Sequence, residues 1–491
     1  MNGAGEVREL RGDIRHWRRG HANKKLSDAI SDAYIALFAT VMFGSMAVNV
    51  VLNVRRVGGR LCTTQGCQEA RALLPWLAGV AAVLMVLSVA RLFGPVFASP
   101  AVGTWLLPTP VDRAAVLRPR LLWTVLISVG LAALVAAAAA SLGGFAGSAL
   151  LAFVGSTAVL TVVVVALAAV SQSRGGLLGR LLALLLGVVL WAGLLALALT
   201  AVPLTGAPGV PTAWLAGIVV AALLAVALLV RSLRDIGRLR RVQVARGGAL
   251  TPGLSGALAT LDLALVYDVL LAHRWAGRGA VRPRRGGPGG PAALVTYDLV
   301  RLLRSPQVPL VLLASVVVPY TARTAGAGRV VVLIAALTGF VAGLRLLTAM
   351  RVVSRTPSLL RAMPFPVASA RMATLAVPAG CFLVFGLATV PALQAAEGRP
   401  WADVVPLGVT VAASALASAT RWVTGRPPDY TRPLVSTPAG GVPTNLYGSV
   451  IRGVDVLLLT TAPLLLLPTA TGTAISLVLS FVVLSYLVGR E

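Results

Sequence analysis

The feature that most constrains this chain is a series of long apolar runs separated by arginine-rich stretches. A membrane span needs about 20 mostly apolar residues. Twelve such runs occur, at roughly 33–53, 72–96, 121–142, 146–171, 178–202, 211–232, 307–322, 329–350, 372–392, 402–421, 449–468 and 470–489. Backbone groups in hydrocarbon must be satisfied within the segment, so these runs are expected to be helices. Their Ala, Leu and Val show no period-2 alternation, which argues against a barrel. The expected fold class is an all-α membrane protein with about 12 transmembrane helices. Pro463 and Pro468 interrupt the eleventh run, which is therefore either broken or re-entrant.

The basic residues orient these spans. Of 43 Lys and Arg, seven fall in loops placed outside: Arg55, Arg56, Arg60, Arg71, Arg323, Arg329 and Arg399. The rest fall in segments or helix ends placed inside. Basic residues on short loops resist translocation, so both termini are predicted to be cytoplasmic. The net charge of +27 thus reads as topology and headgroup contact, with membrane lipids as partners and no nucleic acid. Only 12% of residues are charged, about half the soluble norm. The polar first 33 residues lack the apolar core of a cleavable signal.

Cys62 and Cys67 fall in the first outside loop, where an oxidising exterior permits a disulfide; two free thiols are the alternative. Cys381 lies in an apolar run and reads as packing. With only His16, His21 and His273, a histidine metal site is not expected.

The chain divides into a cytoplasmic amphipathic N-terminus (1–32), a first six-helix half (33–232), a cytoplasmic linker (233–306) and a second six-helix half (307–491). The linker holds amphipathic stretches at 258–275 and 292–304 around a flexible Arg282–Pro291 segment. Amphipathic stretches here and at 7–19 are either interfacial helices on the inner leaflet or solvated helices. Residues 422–448, rich in Pro and Gly, are either a plain connector or a gate.

The halves share a local signature. The chain's two Pro-x-Pro triplets, Pro108-Thr109-Pro110 and Pro364-Phe365-Pro366, are each followed by a valine, Val111 and Val367. Each sits between the second and third spans of its half, so an internal repeat is the expectation and coincidence the alternative. Proline fixes φ and removes a donor, so Pro-x-Pro ends a helix and stiffens the adjoining loop. The flanks add apolar anchors (Trp105, Leu107, Leu360) and cations (Arg113, Arg361). A docking loop is the expectation.

The segment Leu106-Leu107-Pro108-Thr109-Pro110-Val111-Asp112-Arg113 resembles the coupling-helix region of ABC-2 type exporter permeases. The second copy, Leu360 to Val367, lacks the acid–Arg pair; Ala368 and Ser369 stand there. The resemblance covers most of the chain in architecture and about a dozen residues per half in motif. It implies a fused, actinobacterial-type permease whose coupling residues are Trp105, Leu107, Pro108, Pro110, Val111, Arg113, Leu360, Pro364, Pro366 and Val367. It implies a separate cytoplasmic ATPase partner supplying two ATPase domains per chain, with ATP bound there and no cofactor in this chain. The residues agree on one point: Lys24 and Lys25 are the only lysines, and neither follows the glycine a P-loop needs. This chain is therefore not expected to be the enzyme.

Two other classes remain. A six-plus-six layout also suits an ion-coupled carrier of the major facilitator class. Such carriers place carboxylates in the membrane, and the acids here fall almost entirely in loops; Asp455 alone lies within a run, one turn from Arg452. A non-transporting membrane anchor or immunity protein is the third reading. An intramembrane enzyme is disfavoured by the absence of Gly-x-Ser-x-Gly and of paired membrane carboxylates. Ser156 and Thr161 are expected to bond their own helix backbone.

Overall fold

The computed structural model describes residues 5, 9, 12, 13, 16, 26–62, 64–109, 112–173, 177–199, 212–259, 263–276, 287–397, 400–425, 434–437, 440–443 and 451–489. The described residues are almost entirely helical. Among the described residues, eight helices are long and apolar enough to cross a membrane, or ten if two bent pairs each count as one span. This is a multi-pass helical membrane architecture. The run at 33–53 lies within the helix Leu26–Leu61, whose apolar stretch is Thr40–Asn53, and the run at 449–468 falls on the shorter helix Val454–Leu466. The stretches at 7–19, 282–286 and 426–433 lie largely or wholly outside the described residues.

The helices form two compact units, residues 1–193, 202–256 and 436–441 in one and 194–201, 257–435 and 442–491 in the other. The first unit contains α1 (Leu26–Leu61), α2 (Gln65–Phe93), α3 (Arg113–Leu142), α4 (Gly147–Ser173), most of α5 (Leu177–Ala198), α6 (Thr212–Asp235), α7 (Arg241–Gly248) and the start of α8 (Thr251–Ala259). α4 is its hub, packing against α2, α3 and α6. Local chemistry sets the ends. Thr64 caps α2 by accepting from Cys67 N at 3.4 Å, and Gly94, at φ 74°, terminates it. Ser156 and Thr161 donate to Phe153 O and Thr157 O within their own helix, so neither hydroxyl is left bare in the bundle.

The second unit contains α9 (Leu263–Ala276), α10 (Ala292–Arg304), α11 (Gln307–Ala314), α12 (Val317–Thr324), α13 (Val330–Gly343), α14 (Thr348–Arg355), α15 (Pro357–Ala362), α16 (Val367–Glu397), α17 (Trp401–Thr424), α18 (Val454–Leu466) and α19 (Ala470–Gly489). A short hairpin, β1 (Leu434–Thr437) with β2 (Gly440–Pro443), interrupts residues 422–448. The chain bends by 77° between α10 and the α11–α12 segment, and by 67° between α13 and α14.

α17 is the core of this unit. Its most apolar window is 67% buried, against 11% for α5. Small residues explain this. In lipid, association rests on packing, so small side chains favour close backbone approach. A Cβ on Gly386 of α16 would lie 2.3 Å from Gly408 O of α17, so the two backbones touch there. On other faces Ser414 Oγ lies 3.3 Å from Ser480 Oγ of α19, and Ser476 of α19 donates to Thr460 O of α18. These bonds satisfy hydroxyls that the apolar surroundings would otherwise strand.

Candidate functional site

The first Pro-x-Pro loop is built on a short helical segment. After Gly94 the chain runs through buried Val96 and Ala98, re-enters helix at Pro100 and forms a π-helix at Val102–Leu106. Leu107 comes next and is buried with Leu117, Leu121, Ile236, Leu239 and Val244. Trp105 points the other way and is 81% exposed. Pro108, Thr109 and Arg113 are exposed. Asp112 caps α3, accepting from Ala114 N at 2.9 Å. Its acid is thus spent on a helix start. Pro110 and Val111 lie outside the described residues.

Hydrogen bonds from an amide, an arginine and the backbone, rather than ion pairs, hold this loop. The Gln172 amide at the end of α4 donates to Val96 O at 3.0 Å and to Gln243 O of α7 at 3.1 Å, and accepts from Val96 N at 3.4 Å. Arg120 of α3 donates to Phe97 O at 3.1 Å. Ala98 N donates to Val244 O at 3.4 Å. The Gly247-Gly248 pair lets α7 come this near: a Cβ on either would fall 1.6 Å from Phe93 O or Ala98 O. No other residue type fits there.

The second loop begins at α14. Thr356 leads into α15, with Pro357 at its first turn, where a missing N–H is tolerated. Met363 is extended, Pro364 and Pro366 are exposed, and α16 starts at Val367. Leu360, Phe365 and Val367 are half-buried, while Leu359 and Arg361 are exposed. A cavity of about 510 Å³ lies against Met363–Ala368 and Gly489 of α19.

Charge, rather than amides, holds the approach to this loop. Arg351 and Arg355 lie one turn apart on α14, a spacing that puts them on one face. Asp268 of α9 bridges them, Oδ1 to Arg351 Nε and Oδ2 to Arg355 Nη1, both at 2.6 Å. Arg351 also donates to Ala264 O at 2.9 Å, and Arg355 to Gly425 O at 3.2 Å. The Arg351 guanidinium lies 5.1 Å from the Tyr267 ring centroid and 5.0 Å from that of Trp422. A buried arginine thereby gains a carboxylate, a carbonyl and two π faces. Beside this joint, Arg301 pairs with Asp298 at 2.8 Å and donates to Leu346 O at 2.6 Å.

Sequence reasoning did not find Gln172, Asp268, Arg351 or the burial of Asp298. A weak signal existed for each: a lone amide ending an apolar run, an i,i+4 arginine pair, an acid on an amphipathic stretch. Asp455 pairs with Arg421 at 3.4 Å and accepts from Gly453 N at 2.6 Å and Val456 N at 2.9 Å, so it serves the start of α18. Cys62 and Cys67 form a disulfide with Cα atoms 5.5 Å apart, and Cys381 is a free, half-buried thiol.

Both loops, the Gln172 clamp and the Asp268 joint fall within residues 67–433, which match the model of a family of unknown function, DUF6297, over about three-quarters of the chain. The chain belongs to the DUF6297 family. The DUF6297 match stops short of Cys62 on one side and of α18 and α19 on the other. No curated protein and no solved structure matches the chain.

Proposed function

We propose that this DUF6297 chain is the membrane-spanning subunit of an ABC-2 type exporter in the cell membrane. Its twelve apolar runs would act as twelve spans in two six-helix repeats, with both termini in the cytoplasm. A separate ATPase, contributing two nucleotide-binding domains, would grip the two Pro-x-Pro loops and drive a hydrophobic or amphiphilic substrate outward. The spans are nearly free of charge, which suits a peptide, lipid or natural product better than an ion.

One observation carries this reading. In both halves a short helix ends two residues before the first proline, at Leu106 and at Ala362. A single residue, Leu107 or Met363, intervenes; then come Pro-x-Pro, valine and a long helix. A rigid, partly exposed helix on stiff proline flanks is a suitable element to pass force to a membrane bundle. Exposed Trp105 and Leu359 supply apolar surface for a partner.

The test is capture of an ABC ATPase co-expressed with this chain by the purified subunit, with Pro108→Ala, Pro110→Ala and Arg113→Glu combined. Lost capture and lost export are expected. Undiminished capture and export would refute the coupling assignment.

A second reading, an ion-coupled carrier, gains from Asp298. This carboxylate is buried, with Arg301 as its ion-pair partner; were α10 to enter the membrane with α11 and α12, such an acid would suit a proton pathway. Gradient-driven flux in vesicles without nucleotide, abolished by Asp298→Asn, would select that reading over the exporter.

A further inference from the structure

The first unit holds a cavity of about 320 Å³ that neither loop uses. Its size is at the low end for a small-ligand site. Two arginines reach it, Arg91 from the last turn of α2 and Arg180 from the first turn of α5. Gly179 brings them together. A Cβ there would sit 3.6 Å from Cγ and Cδ of Arg91, so the Arg91 stem lies against the backbone that presents Arg180. The two guanidinium charges repel one another.

Nothing among the described residues neutralises them. The ion pairs of this unit involve Arg231 and Arg238 with Asp235. Glu69 accepts from Gln65, and Asp112 is taken up at the start of α3. The polar floor of the cavity is also committed: the Gln172 amide is bonded to Val96 and Gln243, and Ser171 Oγ donates to Ala168 O at 2.9 Å. The guanidinium N–H groups are therefore the charged donors this cavity has to offer. Both arginines are exposed, so the cavity opens outward.

Two cations held together without a counter-charge are stabilised by a bound anion. Planar guanidinium forks favour bidentate phosphate oxygens. Their positions at the ends of apolar helices put them at headgroup depth if those helices cross a bilayer. The geometry points to a phosphate-binding site formed by Arg91 and Arg180, filled by the headgroup of an anionic phospholipid or by a free phosphate group. This inference is independent of the exporter reading.

The test uses the full chain in a neutral detergent. Thermal unfolding is followed with added phosphatidylglycerol, phosphatidylcholine or inorganic phosphate, and retained phospholipid is counted by native mass spectrometry. The wild type is expected to be stabilised by phosphatidylglycerol over phosphatidylcholine. Arg91→Gln with Arg180→Gln should weaken that binding roughly tenfold or more, as loss of charge-assisted bonds implies. Arg238→Gln, away from the cavity, should leave it unchanged. Stabilisation by inorganic phosphate as well would assign the site to the phosphate group alone; its absence would assign it to the lipid. Should the double variant fail to fold, Arg91→Lys with Arg180→Lys keeps charge and stems, and a several-fold loss is still expected from the missing fork geometry. Equal binding of the two lipids by the wild type, with no response to phosphate, would overturn the proposal. So would full retention in either arginine pair variant.

Discussion

The two Pro-x-Pro loops carry the same sequence mark but rest on different supports. The first is clamped by an amide, by backbone bonds and by a glycine-mediated approach of α7. The second comes after a helix fixed by one carboxylate between two arginines. Bonds to amides and backbone carbonyls, Arg120 to Phe97 O included, do not depend on a paired counter-charge, whereas an ion-pair joint answers to any change in local charge. A shared motif therefore specifies where a stiff loop lies, while its mechanical anchoring is free to differ between halves.

The largest expected effect breaks the second support. Asp268→Asn leaves Arg351, whose side chain is 3% exposed, without its carboxylate. A loss of about 3 kcal/mol is expected, at the low end for a broken buried pair because Asp268 is itself partly exposed. Thermal unfolding should fall, and proteolysis should rise at residues 356–366 before residues 99–109. Equal sensitivity of both loops would erase the contrast.

Gly248→Leu comes next and reverses the asymmetry. Its side chain cannot share space with Ala98 O, so α7 must separate from the first loop. Overpacking of this kind costs about 1–3 kcal/mol, and protease sensitivity should move to residues 96–109. Gln172→Leu keeps most of the side-chain volume and removes the three amide bonds to Val96 and Gln243. About 1–3 kcal/mol is expected from the backbone groups left unpaired. Hydrogen exchange at Val96 N should quicken, with no change near Asp268. Asp112→Ala gives the smallest effect, about 1 kcal/mol for a lost N-cap. If capture of an ATPase then falls far more than stability does, Asp112 also meets the partner, and the acid missing from the second loop becomes a functional difference.

Much of the architecture was legible. The described part of each apolar run is mostly helical, though 307–322 and 329–350 are each divided between two helices; internal backbone bonding is met residue by residue along a segment. The Pro-x-Pro loops were legible for a similar reason, since proline acts on its immediate neighbours. The stretch at 233–306 has the composition of a linker, yet α7 backs the first loop and α9 braces the helix before the second. Amphipathic periodicity announces an apolar face without naming what covers it. Asp268 and Arg351 are 83 residues apart, and neither residue alone announces the other. The twelve runs also hid the bends, since the turns at 305–306 and 344–347 lie inside apolar or mixed sequence.

The sequence by itself determined that this is a helical, multi-pass membrane architecture with two proline-stiffened loops. Those properties arise from free energies that accumulate locally along a run of about 20 residues. Tertiary structure alone decided which side chains brace those loops, that α17 is the buried centre of its unit, and that Arg91 and Arg180 share one cavity. Such outcomes depend on close approach between distant helices, which is set by the fit of many small side chains at once.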